Sequence, residues 1–121
     1  MTIAEAIAAI DERIDNDVSP AEKVRCLSNL DAKIKSEFLD RYETQVPFSG
    51  YKEDTPGDTE LLVPAPYDDI YLYHLESMIY YQNEEMPRYN NEITLFNDLY
   101  ADFRKFYNRN HSARPVKVKY F

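Results

Sequence analysis

Residues 11–22 match the length of a calcium-binding EF-hand loop and carry acids at its first, fifth, seventh and last positions, where such a loop places oxygen ligands. The third ligand position holds Arg13, the sharp turn that needs glycine holds Asn16, and Ser19-Pro20 is the start of a helix, so the segment is not read as a calcium site. A transition-metal site fares no better. His74 and His111 are the only imidazoles and Cys26 the only thiol, none at ligand spacing from another. His74 reads as a hydrogen-bonded interior residue and Cys26 as a small core residue. Nucleophilic catalysis needs Ser, Cys or Thr in a recognisable context, and neither a nucleophile elbow nor a cysteine-protease signature is present. Phosphate cradles need clustered glycines at a helix start, whereas Gly50 and Gly57 stand apart in an acidic stretch. Glu84-Glu85 falls at a helix junction, and the other carboxylates read as solvated faces. No catalytic residue, metal or cofactor is therefore expected, and the class of small enzymes has no residue set behind it.

The elements that would position such groups belong to one domain, since 121 residues are too few for two independent cores. Lys and Arg number 14 against 22 Asp and Glu, a net charge of −8, which disfavours a generic nucleic-acid or anionic-membrane binder and points to protein partners. One cysteine makes no internal disulfide, and no apolar run is long enough to cross a bilayer, so no membrane partner is expected. The start MTIAEAIAAIDERID lacks the basic region of a signal peptide; the expectation is a chain that begins here and works inside a cell. Eleven Tyr and six Phe suit surfaces buried against another protein while partly wet. Charge is also uneven. Six basic and no acidic residues lie in 104–121, leaving eight bases against 22 acids, a balance of −14, on the rest.

The pattern predicts an all-α fold, a four-helix bundle-like domain with a long central loop arm and an extended C-terminal tail. Thr2-Ile3-Ala4-Glu5 is a capping box, and Ile3, Ile7, Ile10 and Ile14 form one stripe on a helix over 3–16. Ser19-Pro20-Ala21-Glu22 opens a second helix over 20–43, striped by Val24, Leu27, Leu30, Ile34, Phe38 and Tyr42, and the two form an antiparallel hairpin. Residues 43–66 hold four prolines and both glycines and form the arm. Its Phe48, Tyr51, Leu61 and Leu62 are groups that a solvated loop rarely needs, so they are read as contacts to a neighbouring subunit or a further protein. A floppy surface loop is the alternative. Thr59 to Val63 has the character of a short strand.

A third helix over 67–83, with Asp68 and Asp69 in its first turn, is apolar or aromatic nearly all round and is placed at the centre. Pro87 opens a fourth helix over 87–108, where Tyr89, Ile93, Phe96, Tyr100, Phe103 and Tyr107 form a heptad-like seam. Leu95, Leu99 and Phe106 make a second apolar line beyond what one core needs. With Tyr71 and Tyr80 on the aromatic third helix, they are read as a subunit interface. The helical domain is bounded at 1–109 and the tail at 110–121. In the tail, Val116, Val118 and Tyr120 alternate with Lys117 and Lys119 as in a strand that lacks a sheet. An ordinary monomeric bundle with a frayed tail is the plainer alternative.

The elements Pro64-Ala65-Pro66-Tyr67-Asp68-Asp69-Ile70-Tyr71, Arg88-Tyr89-Asn90-Asn91 and Phe96-Asn97-Asp98-Leu99-Tyr100-Ala101-Asp102-Phe103, spanning residues 61–109, resemble the C-terminal half of the head-to-tail connector, or adaptor, family of tailed bacteriophages. Residues 1–60 match only in helical character. The resemblance implies a virion protein of the neck, made in the host bacterial cytoplasm, that assembles as a twelvefold ring with itself beneath the portal protein. A loop would face the next tail or neck protein, and DNA would pass through the lumen without specific binding. It further implies that Arg114, Val116, Lys117, Val118, Lys119, Tyr120 and Phe121 bind the portal. No catalytic residue comes with it. The reading from a different class is a small acidic helical regulator or inhibitor that binds a cellular protein, its negative body imitating DNA.

Overall fold

In the computed structural model, which describes residues 1–37 and 48–110, the fold is all-α, with four helices in a bundle-like arrangement. Helix α1 (Ile3–Arg13) starts where expected. The Thr2 hydroxyl accepts from the Glu5 amide at 3.1 Å and the Glu5 carboxylate accepts from the Thr2 amide at 3.3 Å. It stops short of residue 16 because Ile14 turns extended and Asn16 competes for the backbone: its Nδ2 donates to the Ile14 carbonyl at 2.9 Å and its Oδ1 accepts from the Val18 amide at 3.2 Å.

Helix α2 (Pro20–Glu37) carries proline in its first turn, and the Ser19 hydroxyl accepts from the Glu22 amide at 3.2 Å. The reciprocal half of that box is absent among the described residues. Glu22 instead accepts from the Gln82 amide group at 3.0 Å. The expected continuation of the helix to residue 43 lies outside the described residues.

Helix α3 (Ile70–Gln82) is central, as its all-round apolar character requires: it packs against each of the other three. Asp68 and Asp69 are not in its first turn. Asp69 precedes the helix without a capping hydrogen bond, and Asp68 stands 3.5 Å from the N-terminal ammonium, because turns at 64–67 and 67–70 delay the helix to Ile70. A short reversal through Glu84, at a φ of 58° in the left-handed region, leads into helix α4 (Met86–Asn110). Pro87 sits in the first turn, where no amide is needed.

The connection at 48–66 contains no helix, and it lies on the chain's own body. Thr59 and Leu61 flank an isolated antiparallel bridge between Glu60 and Thr2: the Ile3 amide donates to the Thr59 carbonyl at 3.0 Å and the Leu61 amide to the Met1 carbonyl at 3.0 Å. The expected short strand is thus a single bridge. Leu61 and Val63 then enter one core with Ile3 and Ile10 of α1, Leu27 and Ile34 of α2, Ile70, Tyr71 and Ile79 of α3, and Phe103 of α4.

Candidate functional site

Helices α2 and α4 both pack on α3, while their backbones do not approach each other among the described residues. A groove of about 550 Å³ lies between them. Its α2 wall is Glu22, Arg25, Cys26 and Asn29, its floor His74, Ser77 and Met78, and its α4 wall Tyr89 and Ile93. A smaller extension of about 300 Å³ shares Asn29, His74 and Ile93 and continues to Lys33 and Phe96. Side chains close the two ends. Gln82 reaches Glu22 at one, and at the other the Tyr100 hydroxyl donates to Glu37 at 2.8 Å, with Arg104 at 3.7 Å from the same carboxylate. Tyr81, 58% exposed, stands at the rim with its ring 5.3 Å from that of Tyr89.

The groups in the groove that carry chemistry are held in quiet forms. Burial pushes the Cys26 thiol up to about 12, which keeps it protonated at neutral pH. Burial pulls His74 below the usual imidazole range, against a hydrogen bond to the Cys26 backbone, so the ring is neutral and packs 5.8 Å from Phe96. The Ser77 hydroxyl donates to the His74 carbonyl at 2.7 Å rather than to a base. What the groove offers is a mostly apolar surface with a polar rim.

Two buried carboxyl clusters organise the body behind it. Asp31 is fully buried and accepts from the Tyr71 hydroxyl at 2.6 Å, the Tyr51 hydroxyl at 2.6 Å and the Leu62 amide at 3.1 Å. Tyr71 in turn accepts from the Val63 amide at 2.8 Å, so one carboxylate pins the connection at two places to α2 and α3. Burial pushes Asp31 above the usual carboxylate range despite these donors. In the second cluster Arg13 donates to Glu76 at 2.7 Å. The neighbouring Glu92 has a buried Oε2 with no donor to receive among the described residues, the condition of a carboxyl that keeps its own proton. Burial, reinforced by the Glu76 carboxylate, pushes Glu92 up to about 7.

These placements change several expectations. Tyr71 has no surface to offer a neighbouring subunit: it is fully buried, and its hydroxyl is used within the core. Leu61 is likewise a core residue and not an arm contact. Leu62 and Tyr51 are half-buried on Asp31, and Phe48 meets Tyr51 edge-on at 5.0 Å. Phe106 is half-buried against Tyr67, ring centroids 5.1 Å apart, so part of the second α4 line serves the chain's own packing. Leu95 remains 39% exposed, Leu99 is half-buried, and Tyr80 is half-buried beneath the Arg88 guanidinium at 5.8 Å. Arg114, Val116, Lys117, Val118, Lys119, Tyr120 and Phe121, the expected portal contacts, lie outside the described residues.

Neither carboxyl cluster was found from sequence, although each had a signal. Asp31 falls between Leu27 and Ile34 at helical spacing, an acid on an apolar stripe, and Glu92 falls in the same way between Tyr89 and Phe96. Comparison with known proteins adds nothing to this geometry: no protein-family model, no curated protein and no solved structure matches the chain.

Proposed function

We propose that the chain is a structural adaptor that assembles into a ring, a head-to-tail connector seated between the portal of a tailed bacteriophage and the next tail or neck protein. The observation that carries this reading is the coverage of the α4 seam. In a self-sufficient bundle all six seam residues would be core. Here Phe103 and Tyr107 are buried, while Tyr89, Ile93, Phe96 and Tyr100 stay half-buried. A 25-residue helix with its apolar seam half open is suited to hold another protein.

The resemblance of residues 61–109 supplies the partner class: further copies of the chain in a twelvefold ring, with the portal above. The charge balance agrees with that use. A body of −14 suits a ring past which DNA slides without sticking, because like charge repels the phosphate backbone. The basic, alternating residues 114–121 have the pattern of a strand that adds to a portal sheet.

The acid excess also favours a second reading, a small acidic regulator whose open seam holds one cellular protein. Native mass and virion association separate the two. A connector purifies with virions in multiple copies and forms high-mass rings, whereas a monomer or dimer absent from particles and bound one-to-one to a host protein would replace the connector reading with the regulator.

A further inference from the structure

We propose that the groove between α2 and α4 receives the outer ridge of α4 from a second copy of the chain, so that copies join head to tail. The inference rests on the ring reading above and names its contact. Helix α4 carries two apolar flanks that point in different directions. Tyr89, Ile93 and Phe96 line the groove. On the other side of the same helix, exposed Leu95 and half-buried Leu99 form a ridge with exposed Asp98 and Asp102, at the spacing that stacks side chains along one helix face. A subunit with a groove on one side and a ridge on the other makes a heterologous contact, which propagates in one sense and closes into a ring when the rotation allows.

Charge selects this occupant. Between Glu22, which Gln82 holds, and Glu37, which Tyr100 holds, the α2 rim of the groove presents exposed Arg25 and Lys33, which lie on one helix face with Asn29 between them. At the α-helical rise they stand about 12 Å apart and the ridge acids about 6 Å apart, a difference that the long Arg and Lys stems span. Among the described residues Lys33 pairs with half-buried Glu37 at 3.9 Å, a contact weak enough to be exchanged. A groove-to-groove contact would set Arg25 and Lys33 against their own copies, and the basic residues 104–121 would meet a basic rim. An acidic ridge with a leucine edge is the complementary partner.

The test is a charge swap in the full-length chain, read by particle incorporation and native mass, with helical circular dichroism to verify folding. One variant carries Arg25→Glu with Lys33→Glu, the other Asp98→Lys with Asp102→Lys. Each alone should assemble at least tenfold less than the unmodified chain. Mixed in equal amounts they should recover, because acid grooves meet basic ridges and basic grooves meet acid ridges in alternation. Assembly of both single variants at the level of the unmodified chain, or no recovery on mixing two folded variants, overturns this contact and leaves the ring reading standing. Failure of the unmodified chain to assemble or enter particles overturns both.

Discussion

Replacing Asp31 with alanine should cost about 3 kcal/mol of stability and loosen the connection at 48–63 before it affects the helices. Three donors converge on this carboxylate, from Tyr51, Tyr71 and the Leu62 amide, within 2.6–3.1 Å. Removal of the acceptor orphans the Tyr71 hydroxyl in a fully buried position and the Leu62 amide in a half-buried one, at roughly 1–3 kcal/mol each, while half-exposed Tyr51 finds water. Part of that loss is offset, because the ionised Asp31 is itself desolvated, which its raised pKa expresses. Asp31→Asn keeps one acceptor and removes the charge, so about 1 kcal/mol is expected, similar to Tyr51→Phe. The assay is urea unfolding followed by helical circular dichroism, with tryptic cleavage after Lys52 as the local probe. Asp31→Ala should lower the midpoint at unchanged slope and speed that cleavage. A stability within 0.5 kcal/mol of the unmodified chain, with the cleavage rate unchanged, would refute the pin.

Glu92 sets the pH dependence. Its pKa is raised from 4.5 to about 7 in the folded chain, so the folded state holds a proton that the unfolded state releases. That stabilisation is complete below pH 4.5 and is lost as pH rises through about 7. Urea midpoints at pH 5 and pH 8 should differ by the equivalent of about 2 kcal/mol, and Glu92→Gln should remove most of the difference by stabilising the chain at pH 8. Equal pH slopes in the two proteins would show that Glu92 is not the group. Deletion of residues 114–121 should leave stability within about 0.5 kcal/mol, because the apolar seam in the sequence ends by Tyr107, yet abolish attachment to filled heads. Infectious particles made with the truncated chain would move the portal contact onto the helices.

The regular parts of the fold were legible because they follow from local chemistry. Isoleucines at helical spacing and a reciprocal Thr2–Glu5 cap define α1, and the apolar circumference of α3 suits a helix packed against all three others, which is where it lies. The connection was misjudged for a physical reason. Leu61 and Val63 lack helical periodicity, so sequence gave them no place in the core, whereas Asp31, two tyrosines and the Thr2–Glu60 bridge hold them there by long-range hydrogen bonds. The same holds for Tyr71, whose aromatic body reads equally well as interface or core until Asp31 is seen to take its hydroxyl. The seam of α4 was legible as a seam. That its N-terminal half is left open was not, because coverage depends on how far apart α2 and α4 settle on α3.

The most direct test of the account is an electron cryo-microscopy map of the neck of phage particles assembled in cells that make this chain. The account predicts a closed ring of copies below the portal, with α4 of each copy seated in the α2–α4 groove of the next and residues 114–121 paired to the portal. A neck map in which no density fits this four-helix unit, with the chain absent from the virion by mass spectrometry, would contradict it.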